Sequence, residues 1–102
     1  MSGKIEPLFQ PPARLQIMAA LAACDEAEFA TMRDVIEVSD SVLSKHLSAL
    51  SDAGYIRIKK AKLDGRQRTW ASITSRGNKA LSAHLAALRS MMESARAAVA
   101  AE

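Results

Sequence analysis

The sequence holds a single cysteine, Cys24, so no disulfide can form within the chain and no zinc site can be assembled from paired thiolates. A reducing compartment suits such a chain. Long apolar runs are missing too. The longest, Ile17 to Cys24, is eight residues, far short of the roughly 20 that span a bilayer. Met1 to Pro12 has no hydrophobic stretch of its own, so neither a membrane anchor nor a secretory signal is expected. Nor is there a large excess of charge of one sign: 14 basic residues face 11 acidic ones, for a net charge of +3. With 49% of positions apolar and 25% charged, the chain is richer in core-forming residues than a disordered one. Its 102 residues suffice for one modest core and not for two, so a single domain is expected over residues 1–102.

The placement of the charge says more than its sum. Between Arg57 and Arg68 lie Arg57, Lys59, Lys60, Lys62, Arg66 and Arg68 against one acid, Asp64. That segment carries +5, which leaves −2 for everything else. A mildly acidic body with one basic projection suits a polyanionic partner, because phosphate contacts supply most non-specific affinity. A lysine-rich hairpin that keeps a sheet edge from pairing is the other reading of the same residues.

Periodicity divides the chain into elements. Pro11 and Pro12 precede helical spacing at Leu15, Met18, Ala19 and Ala22, with Ile17 and Leu21 beside them, which predicts a helix over Pro12 to Ala23. That helix is apolar around most of its circumference and is expected to pack on two sides. After an acidic loop, Asp25 to Glu28, Thr31 reads as an N-cap with Asp34 in capping-box position, giving a short helix over Met32 to Glu37. Ser39 reads as the cap of a third helix that runs to about Ala53, ended by Gly54. Leu43, His46, Leu47 and Leu50 fall on one side of it, and Ser41, Ser44, Lys45 and Ser48 on the other. From Tyr55 the period changes to two, and Asp64-Gly65 is a tight-turn signal between two strands that end at Ile73. Thr74 caps a last helix whose stripe of Leu81, His84, Leu88, Met91 and Ala95, flanked by Leu85 and Met92, is too long for so small a core. Its distal half is expected to be buried against a second copy.

Two short helices joined tightly, the second with a polar outer face, followed by a basic hairpin, have the order of a winged helix-turn-helix. The expected fold class is therefore α+β and mainly helical, with a two-stranded β-hairpin wing over residues 55–73 inside a DNA-binding core over 12–74, and a long C-terminal dimerisation helix over 75–102. A helix fits the DNA major groove, and a hairpin beside it can lie along the backbone or the minor groove. The residues also resemble a known group. Val38 to Ile56 is similar to the recognition-helix signature of ArsR- and MarR-type bacterial regulators, with Ser44-Lys45-His46-Leu47 in place of a Ser-Arg-His-Leu core. Pro12 to Met18 is similar to the first helix of ArsR-like proteins, and Asp64-Gly65-Arg66-Gln67-Arg68 looks like their wing. The resemblance spans Pro12 to about Leu88. It implies a compact, dimeric transcriptional regulator, usually a repressor, that binds a pseudo-palindromic operator in double-stranded DNA at the nucleoid of a bacterial cytoplasm.

The chain also departs from that group. Metal-sensing ArsR proteins carry cysteine pairs or acid and histidine ligands, whereas His84 is flanked by Ser82, Ala83 and Leu85. No metal and no cofactor is expected. Larger MarR proteins enclose a phenolic ligand with extra terminal helices, and here one long C-terminal helix stands alone, so a small-molecule effector stays open and unspecified. The residues expected at DNA are Ser41, Val42, Ser44, Lys45 and Ser48 on the third helix and Lys60, Lys62, Arg66 and Arg68 on the wing, with Arg57 less well placed. Asp40 is expected to act as a helix-end charge. Those expected at a homodimer interface are Leu81, His84, Leu85, Leu88, Met91, Met92 and Ala95. His46 reads as a satisfied core histidine, Cys24 as inert packing, and Trp70 as a cover for the hairpin stems. Catalysis is not expected, because no acid, serine or cysteine partner can be paired with His46. A winged-helix module that binds a protein through the same polar face is the alternative.

Overall fold

Pro12 opens α1 with its fixed φ and missing N–H, and the helix runs over Pro12–Ala22 in the computed structural model, which describes residues 3–102. Its nearly uniform apolar surface is used on several sides. Ile17, Met18 and Leu21 are fully buried, and the helix touches α2, α3, β3 and α4 at once. The elements that follow are β1 (Ala27–Glu28), α2 (Phe29–Ile36), α3 (Asp40–Asp52), β2 (Ile56–Leu63), β3 (Arg66–Ile73) and α4 (Ser75–Ala100). The sheet is antiparallel with order β1-β3-β2. Four helices and a three-stranded sheet make the chain mainly helical.

Local signals set the boundaries of α3, the hairpin and α4. The Ser39 hydroxyl accepts from the Val42 N–H at 3.3 Å and caps α3. At its other end Gly54 has φ +80°, and the Tyr55 N–H returns to the Leu50 carbonyl at 3.0 Å. Asp64 and Gly65 both lie at positive φ, 52° and 76°, the turn whose twist matches two antiparallel strands. Thr74 accepts from the Gly77 N–H at 3.0 Å and donates to the Gly54 carbonyl at 2.6 Å, so one side chain joins the end of α3 to the start of α4. A Cβ on Gly77 would stand 2.1 Å from the Tyr55 carbonyl oxygen, so the first turn of α4 can lie against the start of β2 only with glycine there.

Two features differ from the sequence expectations. The acidic stretch is not all loop, since Ala27 and Glu28 pair with Ala71 and Trp70, and the wing is two strands of a three-stranded sheet. Pairing holds Glu28 extended and lets α2 begin at Phe29, three residues early. Thr31 therefore lies inside the helix and is not its cap. The N-terminal segment is also structured. A 3-10 turn over Pro7–Phe9 buries Phe9 to 1% exposure, with its ring against Tyr55 and edge-on to His84.

The core lies where α1, α3, the sheet and the first half of α4 meet, around Ile17, Leu21, Leu43, Leu50, Ile56 and Leu81. Beyond Ser90 every residue of α4 is exposed, and the helix gives the molecule a longest dimension of 64 Å against 25 and 20 Å across. Among the described residues no helix is long and apolar enough to cross a membrane.

Candidate nucleic-acid interface

The core face of α3 fixes what its other face presents. Leu43, Leu47 and Leu50 are buried, and the same rotation leaves Ser41, Val42, Ser44, Lys45 and Ser48 exposed. Ser41 is partly engaged, with its hydroxyl 3.3 Å from that of Ser39. Asp40, in the first turn, accepts from the Arg33 guanidinium at 3.1 Å. Asp40 and Asp34 together push the Arg33 pKa further up through hydrogen bonds and charge. The α3 start thus carries a compensated acid. His46 sits at the border between the two faces, half-buried, and its Nδ1 accepts from Arg14 Nε at 2.9 Å. Burial, then the charges of Arg14 and Lys45, lower its pKa and keep the ring neutral, as an acceptor must be.

The wing's register sorts its basic residues by face. Directly opposed residues share a face of an antiparallel ladder. Ile56 with Ile73 and Ile58 with Ala71 continue outward as Lys60 with Thr69 and Lys62 with Gln67. This face begins in the core, passes Lys60 beside α3, and ends at Lys62 toward the tip. Arg57, Lys59, Ala61 and Leu63, opposite Ser72, Trp70, Arg68 and Arg66, make the other face. There Lys59 is 3.2 Å from the Glu26 carboxylate and 5.3 Å from the Trp70 ring centroid, and Arg68 donates to Glu28 at 3.0 Å.

Two grooves bring the helix and the wing together. One, of about 270 Å³, is lined by Ser44, Leu47 and Ser48 of α3, Phe29 of α2, and Ile58, Lys60 and Thr69 of the wing. The other, of about 430 Å³, lies beside it and runs past Ser44, Asp40, Glu28, Gln67 and Arg68. Ser44, Ser48, Lys60 and Arg68 of the expected set therefore converge. Lys45 and Val42 stay on the open helix face, and Lys62 and Arg66 stand exposed toward the wing tip. Gln67 and Thr69 were missed by sequence reasoning. Counting by twos from the Asp64-Gly65 turn puts them opposite Lys62 and Lys60, so the signal was present. The pairing of Lys59 and Arg68 with Glu26 and Glu28 was not signalled locally, and it reduces the uncompensated wing charge to Arg57, Lys60, Lys62 and Arg66.

Elsewhere the placements are mixed. Trp70 is half-buried on the sheet face away from Ala71, as a cover for the strands. Cys24 is exposed, not packed, with its thiol donating to the Ala20 carbonyl at 3.4 Å, because α1 ends just before it and the acidic turn carries it out of the core. Leu81 and His84 are 6% and 5% exposed inside their own chain, where His84 Nδ1 accepts from the Glu6 N–H at 3.0 Å. The Tyr55 hydroxyl donates to the Glu6 carboxylate in the same place, and that contact raises the Tyr55 pKa. Neither Leu81 nor His84 is free to face a partner. Leu85, Met91 and Met92 are 47%, 58% and 64% exposed, Ala95 is exposed, and Leu88 is half-buried. Among the described residues no three of His, Cys, Asp and Glu come close enough to hold a metal ion.

Comparison with known proteins gives this geometry a family. Residues 13–92 match the model of a winged helix DNA-binding domain. An uncharacterised protein of Methanocaldococcus jannaschii is 30% identical over 70 residues, covering 69% of this chain and 76% of its own. Among solved structures, a transcriptional regulator homologue from Pyrococcus horikoshii superposes with a TM-score of 0.79 at 26% identity, over 85% of this chain and 86% of that one. A zinc-responsive MarR family member from Lactococcus lactis shares the fold at a TM-score of 0.59 and 21% identity, over 82% of this chain and 57% of its own. The chain belongs to the winged helix DNA-binding domain family and has the fold of the MarR-type transcriptional regulators.

Proposed function

We infer that the chain is a sequence-specific transcriptional repressor that binds a pseudo-palindromic operator as a homodimer, with α3 in the major groove and the wing alongside. The observation that carries this reading is the groove in which Ser44 and Ser48 of α3 meet Lys60 of the wing. Small hydroxyl side chains let a helix approach base edges closely, and a lysine at the groove's border meets the phosphates that flank them. Lys45 projects from the same helix face to reach guanine or phosphate. Lys62 supplies a further phosphate contact, and Arg66 at the wing tip reaches toward the minor groove, where arginine is favoured. In this reading residues 12–74 bind DNA and α4 joins two copies through Leu85, Leu88, Met91, Met92 and Ala95. Leu81 and His84 drop out of that interface because their own chain buries them. Two-fold pairing of α4 would make the operator's symmetry follow from the protein's.

Selection of bound duplexes from a random DNA pool, followed by titration at two salt concentrations, tests the reading with wild type and Lys45→Ala. The expected product is an inverted repeat whose half-sites lie about one helical turn apart, with weaker binding by the variant. Recovery of no motif, with weak binding that vanishes as salt rises, would leave the wing as general electrostatics and favour a protein partner for the same face.

A further inference from the structure

The chain leaves a capping position unused where the wing meets the helix-turn-helix. Glu28 is the last residue of β1 and also the N-cap residue of α2, yet its side chain makes no hydrogen bond to the helix it precedes. Short side chains such as Ser, Thr, Asp and Asn ordinarily cap a helix start, and the longer glutamate reaches past it. Here it turns to the wing and accepts from Arg68 Nη1 of β3 at 3.0 Å, with the two side chains only 26% and 34% exposed. The ladder beneath it is weak, since β1 contributes just two paired residues, Ala27 with Ala71 and Glu28 with Trp70. Across the sheet Glu28, Trp70 and Lys59 form one row, and the Lys59 ammonium closes it by lying near the Trp70 ring and pairing with Glu26. The acids of the 25–28 stretch thus grip both strands of the wing at its base, while among the described residues no acid pairs with the tip residues Lys62 and Arg66.

We propose that Glu28 is a positioning residue for DNA binding: by holding Arg68 it fixes the wing to the start of α2, and so sets where Lys60, Lys62 and Arg66 lie relative to α3. This rests on the DNA-binding reading above. The clamp and a direct contact predict opposite signs for one variant. If Arg68 instead met a phosphate and Glu28 merely opposed it, removing the Glu28 charge would strengthen binding. If the pair is a clamp, removing either partner loosens the wing and weakens binding.

The test uses the full chain and the duplex that the selection yields, with wild type, Glu28→Gln, Arg68→Gln, the double variant, and the swapped pair Glu28→Arg with Arg68→Glu. Binding is read by anisotropy across several salt concentrations, and wing docking by the emission of Trp70, the one tryptophan of the chain. Each single variant is expected to weaken binding roughly three- to tenfold, the scale of a half-buried ion pair. The double variant should be no weaker than the weaker single, the swap should recover most of the loss, and the salt slope should stay unchanged. Trp70 emission should shift to the red in both singles and return in the swap, a signature that a loss of global stability would not reverse. The proposal is overturned if Glu28→Gln binds more tightly than wild type, if Arg68→Gln flattens the salt slope by about 0.9, the value of one phosphate contact, or if the swap rescues nothing. Failure of wild type to bind any duplex would instead overturn the underlying reading, and the proposal with it.

Discussion

The two halves of α4 carry one continuous apolar stripe and put it to different uses. From Ser75 to Ala87 the helix is an internal element, with Gly77, Leu81, His84 and Ala87 buried against the sheet, α1 and the N-terminal turn. From Met91 onward the same periodicity continues through Met92, Ala95 and Val99, and all of these residues are exposed. What changes at Ser90 is the supply of neighbours, not the character of the sequence. The core ends there, and a helix of 26 residues, about 39 Å long, overshoots it. An amphipathic pattern therefore states that a face will be buried without stating by which chain.

Equivalent truncations in the two halves should break the symmetry of the stripe most strongly. Leu81→Ala removes a side chain with 6% exposure from the main cluster and should cost about 2–4 kcal/mol. Met92→Ala, at 64% exposure, should cost under about 0.5 kcal/mol in protein dilute enough to be free of a partner. Denaturant unfolding of the two variants measures the gap, and equal losses would mean that the distal half is packed within its own chain after all.

A larger cut sharpens the same point at a smaller energy. Deletion of residues 91–102 should leave the fold of the remaining chain intact and abolish the proposed dimer, because the exposed half contributes nothing to the core. For the full chain, Tm should rise with protein concentration, as it must when only the folded state pairs. The shortened chain should show no such dependence, and should sediment as a monomer at concentrations where the full chain does not. A shortened chain that still pairs would move the interface to the proximal half or to the N-terminal segment.

The contrast between the halves also marks what the sequence makes legible. Ser39 and Thr74 cap N–H groups three residues on, and Gly54 and the Asp64-Gly65 turn act through their own φ, so α3, the hairpin and the start of α4 could be read directly. The face of α3 followed from the same local geometry, and with it most of the candidate interface. What escaped depends on partners distant in the chain. β1 exists only because β3 lies beside it, and Phe9 is buried only because Tyr55 and His84 close over it. Arg68 is engaged by a carboxylate 40 residues away, which no count of local charge could reveal. The stripe on α4 was legible as apolar. Its division was not, since that depends on where the rest of the chain stops.

The smallest effect expected is one that should ignore the division entirely. His46 lies on α3, accepts from Arg14 of α1, and has its pKa lowered from 6.5, first by burial and then by the positive charges of Arg14 and Lys45. In the unfolded chain that shift is absent. Between the two values the unfolded state holds more protons at this site than the folded one, so stability falls as pH is lowered through that window. Above about 6.5 the contribution is fully present, and below the folded value it is fully lost. His46→Gln keeps an acceptor for Arg14 and cannot titrate, so the variant should lose less Tm than wild type between pH 7.5 and 5. The difference should be the same with and without residues 91–102, because Arg14 and His46 lie in the core-forming part of the chain that both forms share. An acid sensitivity that disappears on truncation would show that the protonation acts through the paired helices instead, and would shift the pH-dependent contact from the α1–α3 junction to the distal half of α4.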